Sequence, residues 1–176
     1  MKKLTLLLLL AFAANTGFAQ YKPVEQGSSL KFTIKNLGFG VDGSFSGFEG
    51  SINFDPQNPA NSAFDVSIKA ATINTDNSLR DGHLKDEFFD VKNYPLIRLQ
   101  AGKVTAGKSG TYNLTGVLTM KGKSKAITFP FSATPAADGY IFKGTFKLNR
   151  KDFGVGGTST VSDELEVAIN VIAKKA

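Results

Sequence analysis

Three stretches of the chain bring together residue types that do chemistry. Residues 102–110 read GKVTAGKSG, in which Gly102, Gly107, Lys108 and Ser109 complete the G-x-x-x-x-G-K-S of a phosphate-cradling loop. The segment NLGFGVDG supplies G-x-G-x-x-G at Gly38, Gly40 and Gly43, the spacing of a dinucleotide-binding turn. In RDGHLKDEFF the only histidine, His83, stands beside Asp81, Asp86 and Glu87, the material of an acid–base pair or of a metal site.

Each motif depends on the element that must position it. A nucleotide loop needs a strand feeding a turn and a helix starting at once, so that free amides and the helix N-terminus face the phosphate. Here Lys108 and Ser109 are followed by Gly110 and the alternating run TYNLTGVLTM, and Gly43 runs on into a segment carrying Phe45 and Phe48. Neither sequence starts a helix, so both glycine patterns read as hairpin turns and exclude nucleotide binding. A metal site needs three or four ligands, and one imidazole among solvent-facing carboxylates does not supply them. His83 therefore reads as a bridge within a short helix or as a contact for a ligand head group. No G-x-S-x-G nucleophile elbow occurs.

From Ser28 onward the dominant period is two. Leu30, Phe32 and Ile34 alternate with polar residues, as do Phe64, Val66 and Ile68; Ile97, Leu99 and Ala101; and Tyr112, Leu114, Leu118 and Met120. The pattern continues through Ile127, Phe129 and Phe131, through Tyr140, Phe142, Phe146 and Leu148, and through Leu165, Val167, Ile169 and Val171. With a strand between Val41 and Phe54 this predicts about eight antiparallel strands closing into a barrel or sandwich. Within that last strand the apolar parity switches from odd (Val41, Phe45) to even (Phe48, Ile52, Phe54), which predicts a bulge near Ser46 and Gly47. Residues 72–94 break the period. Ser78 with Asp81 resembles a capping box, and Leu84, Phe88 and Val91 recur at helical spacing, so one or two short helices are expected across the end of the sheet.

The N-terminus, MKKLTLLLLLAFAANTGFAQ, has two lysines, an apolar run and small residues at Gly17 and Ala19. It reads as a secretory signal peptide cut after Ala19, and the run is too short for a membrane span. Residues 1–19 are thus expected to be removed, leaving residues 20–176 as one domain in the periplasm or secreted. The absence of cysteine excludes a disulfide framework, a thiol nucleophile and thiolate zinc sites. The charge, +6 for the whole chain, is modest and spread out, which suits an anionic head group better than a nucleic-acid stripe. Of the 15 phenylalanines most fall on the apolar faces of predicted strands, in a chain without tryptophan. Such faces build either a solid aromatic core or the wall of a barrel that holds one ligand.

Five motifs, in order, resemble the YceI-like family of secreted bacterial proteins across essentially the whole mature chain. They are SSLKFTIKNLG (28–38), GSFSGFEGSINFD (43–55), LRDGHLKDEFFDVKNYP (79–95), GVLTMKGKSKAI (116–127) and LNRKDFGV (148–155). The resemblance implies an extended lipocalin-like antiparallel barrel with a helical segment near one end and an elongated apolar tunnel for a polyisoprenoid or similar long-chain lipid. Gly82 departs from the larger residue common in the family's R-D-x-H-L motif and is expected to loosen the helix.

On this reading the tunnel is lined by Phe32, Ile34, Phe45, Phe48, Val66, Ile68, Leu84, Phe88, Phe89, Leu99, Tyr112, Leu114, Phe129, Phe131, Phe142 and Phe146. Arg80, Asp81, His83 and Arg150 are the candidates for orienting a hydroxyl or phosphate head group. The expected function is non-enzymatic carriage or sequestration of a lipid, with no cofactor, metal, nucleotide or nucleic-acid partner. Two alternatives stand beside it: an enzyme that modifies such a lipid through His83 and Asp81, and a protein-interaction module with a solid core.

Overall fold

The computed structural model describes residues 19–157 and 160–176. The predicted signal peptide, apart from Ala19, lies outside the described residues. Nine strands follow in order: β1 Gln20–Asn36, β2 Phe39–Phe45, β3 Glu49–Asn53, β4 Ala63–Lys69, β5 Leu96–Ala106, β6 Thr111–Met120, β7 Lys123–Ala136, β8 Gly139–Asn149 and β9 Val161–Lys175. All pair antiparallel, and β1 pairs with β9 from Tyr21 to Asn36, which closes the sheet into a barrel. β2 and β3 share the other edge of β1, as two halves of one strand position, so the barrel has eight positions.

The break between those halves falls at residues 46–48, where the parity switch placed a bulge. Its freed amides are satisfied from across the seam, since Glu25 Oε2 accepts from Gly47 N at 3.0 Å and Phe48 N at 3.1 Å. The facing stretch of β1 is itself irregular, with its register to β9 shifting between Val24 and Ser29. The expected bulge is thus a break between two strands; a true bulge occurs instead in β5, between Gln100 and Lys103, and moves the inward parity from Ala101 to Val104, both buried.

The edge of β2 that faces away from β1 does not reach β4. It is completed by the connection that follows β4: Ser44 and Asn74 exchange backbone hydrogen bonds of 2.9 and 3.0 Å, and the Thr72 hydroxyl bridges to Ser46. From that stitch the chain turns into helix α1, Ser78–His83, which widens into a π-helical turn over Leu84–Phe89 and stops at Asp90 in the left-handed conformation. The expected capping box is replaced by a different cap. Asn77 caps the helix by accepting from Arg80 N at 3.0 Å, while the Asp81 carboxylate turns back to the Thr75 amide and hydroxyl. Helix runs through Gly82, whose open side no neighbour occupies.

Both glycine motifs are hairpins. Lys108 O accepts from Thr111 N, and Ser109 and Gly110 between them have φ of 53° and 76°, a type I′ turn joining β5 to β6. Leu37 and Gly38, with φ of 51° and 86°, turn β1 into β2 in the same way.

Candidate functional site

The inward faces of the strands meet differently at the two ends. At the end holding the β5–β6 and β7–β8 hairpins, Phe54 packs edge-to-face on Tyr112, Tyr140 and Phe142 at ring distances of 5.1, 5.1 and 5.3 Å. Phe64 and Phe131, 5.7 Å from each other, join Phe54 at 6.4 and 6.2 Å. This is a filled aromatic plug, and burial beside Tyr21 and Tyr112 raises the pKa of the Tyr140 phenol.

Toward the opposite end the side chains stop short of the barrel axis. A cavity of about 280 Å³ opens there, walled by Leu30, Phe32, Ile34, Val41 and Phe45 from β1 and β2, by Leu118, Met120, Phe146 and Leu148 from β6 and β8, and by Val161, Leu165 and Val167 from β9. A second space of about 130 Å³ lies deeper, against Phe64, Phe129, Phe131 and Phe142. Leu30, Ile68, Ile97, Leu118 and Phe146 line both, so the two follow one another along the barrel with these residues at the waist. α1 and the π turn lie over the mouth and contribute Arg80, His83, Leu84, Phe88 and Phe89 to the wall. One inward position of β2 is glycine for a steric reason: a Cβ on Gly43 would stand 2.2 Å from the Phe32 ring.

Of the expected apolar residues, Phe32, Ile34, Phe45, Ile68, Leu84, Phe88, Phe89 and Phe146 line the outer cavity. Phe48, Val66, Leu99, Leu114, Phe129, Phe131 and Phe142 line the inner one. Tyr112 lines neither, because its ring is stacked on Phe131 at 5.4 Å within the plug. Ile73, Phe153 and Val155 also face the outer cavity but come from connections without any period to reveal them. Leu118, Met120, Leu165 and Val167 were visible in the alternation yet carry nothing that separates cavity from core.

Polar side chains in the outer wall are Asn36, Thr75, Arg80, His83 and Arg150. The Arg80 guanidinium is held on Thr75, Nε to the hydroxyl at 2.8 Å and a terminal nitrogen to the carbonyl at 2.7 Å. His83 is exposed at the rim, 3.0 Å from Glu87 Oε1. Arg150 is buried, its nitrogens donating to the carbonyls of Val155, Val161 and Ser162, with Asp163 at 3.2 Å. It ties the β8–β9 connection to the barrel while leaving its charge beside the cavity. Asp81 does not line the cavity; buried and hydrogen-bonded to Thr75, it braces the residue that holds Arg80. Among the described residues no group of three or more His, Asp or Glu is placed to hold a metal ion.

A family model described as the YceI-like domain matches residues 21–173, nearly all of the strands that build this cavity. The chain belongs to the YceI-like domain family. It is 32% identical over 165 residues to a UPF0312 protein of Pseudomonas putida, covering 87% of this chain and 85% of that relative. The crystal structure of BcnA from Burkholderia cenocepacia superposes with a TM-score of 0.77 at 25% identity, over 82% of this chain and 94% of that one. A polyisoprenoid binding domain from Saccharophagus degradans shares the fold, with a TM-score of 0.72 at 13% identity over 89% and 98% of the two chains.

Proposed function

We propose that this YceI-like chain binds the hydrocarbon tail of a long-chain isoprenoid or similar lipid in the two-part cavity and carries or sequesters it without turnover. The observation that carries this reading is a pair of adjoining apolar cavities along the barrel, plugged by aromatic rings at one end and rimmed at the other by a few polar groups. Burial is worth roughly 0.8 kcal/mol per CH₂, so the tail supplies the affinity and the rim supplies orientation. The polyisoprenoid-binding domain of the same fold supports the ligand class. Asn36, Thr75, Arg80 and His83 are the groups placed to meet a head group, with Arg80 favouring an anionic one.

The positions of His83 and Asp81 support carriage over the enzymatic alternative. His83 faces Glu87, and the Asp81 carboxylate is buried on Thr75, so the two do not form an acid–base pair. A solid core would leave no cavity to explain. The secretory reading of residues 1–19 supports a carrier in the periplasm or outside the cell, where a sparingly soluble lipid needs a protein to cross water.

Filling the waist tests the proposal. Leu118→Phe adds volume where space already exists, so stability should stay within about 1 kcal/mol of wild type. Affinity for a polyprenyl alcohol should fall about tenfold or more, as a chain blocked at the waist loses several buried CH₂ groups. Unchanged affinity in a folded variant would remove the tail from the inner cavity.

A further inference from the structure

The β1–β2 hairpin ends in two large apolar side chains that face water: Leu37 is 70% exposed and Phe39 is 77% exposed. Phe39 shares the inward parity of Val41 and Phe45, and its Cα partner across the hairpin is Asn36, which lines the cavity. The inner wall therefore continues past the rim as an apolar overhang. Leu79, 75% exposed, presents a third such side chain in the first turn of the helix over the same mouth.

The hairpin turn is also chosen against its own geometry. A type I′ turn favours Asn or Gly at its first central position, yet Leu37 occupies it at φ 51°. A branched aliphatic residue in the left-handed region is disfavoured, and among the described residues its side chain finds no cover that would compensate. From Ile34 to Val41 the sole charge is Lys35, which is exposed.

We propose that this mouth docks on a phospholipid leaflet, inserting Leu37, Phe39 and Leu79 among the acyl chains near the surface and holding Lys35 at the level of the phosphates. Size favours a bilayer over a protein partner. A phenylalanine and two leucines cover at most about 500 Å², whereas a stable protein interface takes about 800 Å² on each side. Protruding side chains at a hairpin tip match the shallow insertion of interfacial anchors, with Lys35 placed to meet lipid phosphates although Asp42 of the same hairpin and Asp86 and Glu87 of the mouth helix leave the rim without a net basic patch. The purpose rests on the lipid-carrier reading: a docked mouth lets a tail pass from leaflet to cavity without crossing water.

Flotation of the mature protein, residues 20–176, with vesicles of phosphatidylethanolamine and phosphatidylglycerol tests docking directly. The test pair is Leu37→Asn with Phe39→Ser, where Asn suits the left-handed turn and both positions are exposed, so the fold is retained. Val117→Ser, on the outer wall of β6, is the control, its side chain being 43% exposed. Wild type and Val117→Ser should float, and the double variant should lose about tenfold in vesicle-bound fraction. The double variant should still retain a polyprenyl alcohol in vesicle-free solution. Wild-type protein that stays unbound, a double variant that floats like wild type, or an equal loss in Val117→Ser would each overturn the proposal. Failure of the carrier reading registers separately, as wild-type protein that floats but retains no lipid.

Discussion

At the closed end of the barrel Phe54, Phe64, Tyr112, Phe131 and Phe142 converge on one another, each ring touching several others. Toward the mouth the rings run in a chain, Phe32 to Phe45 at 5.7 Å and Phe45 to Phe89 at 5.5 Å, along one side of open space. The inward alternation is the same at both ends. What differs is reach. An eight-stranded barrel is just wide enough for side chains to fill. Aromatic rings from β4, β6, β7 and β8 meet at its axis, whereas Ile34, Val41, Leu148, Leu165 and Val167 are too short to do so. The plug supplies rigidity, and the short aliphatic wall supplies volume.

The largest expected effect separates these ends. Phe54→Ala removes the hub of the plug and should cost about 3 to 5 kcal/mol in denaturant unfolding. Phe32→Ala should cost about 1 to 2 kcal/mol, since its ring is only half-buried and already borders space. Equal costs would mean that the mouth end is packed as tightly as the plug.

Next comes the polar rim. Arg80→Ala should weaken a polyprenyl phosphate more than the matching alcohol, by about 1.5 kcal/mol or tenfold, because a charged hydrogen bond to the phosphate is lost. Its bonds to Thr75 are lost for both ligands alike. Equal losses would make Arg80 solely a brace for the helix over the mouth.

The smallest effect belongs to the outer face, which serves neither end. Arg98 grips Asp65 through two hydrogen bonds of 2.7 and 2.6 Å across β4 and β5, and this holds the Asp65 carboxyl below its usual pKa. A depressed folded pKa contributes stability that is complete above the unfolded value and is lost as pH falls through the folded one. The pair is half-exposed, so Asp65→Asn should cost only about 0.5 kcal/mol at pH 7. The difference from wild type should vanish in acid below the folded pKa. A persistent difference there would show that the substituted amide disturbs packing rather than charge.

The sequence made the barrel legible in places where one residue forces the backbone. The change of parity between Phe45 and Phe48 located the gap between β2 and β3, and the run of alternation after Lys108 and Ser109 ruled out a phosphate loop. The site was legible only as a set of inward faces. Phe54 and Phe32 carry identical side chains on equivalent faces, and their different fates depend on which rings arrive from strands remote in sequence. Tyr112 was assigned to the tunnel for that reason and lies in the plug. Ile73, Phe153 and Val155 were missed because tertiary contacts, not a repeat, turn them inward. Asp81, read as a contact for a head group, is spent on Thr75, a choice made by the turn before α1.

Whether the cavity is a lipid site is read most directly by native mass spectrometry of the mature protein, purified without detergent from its own host and then, after delipidation, mixed with a polyprenyl alcohol. A carrier should appear as a species heavier than the polypeptide by one lipid molecule, lost on delipidation and restored at a stoichiometry of one on addition. A protein that carries no lipid when isolated and takes up none when offered it would refute lipid carriage.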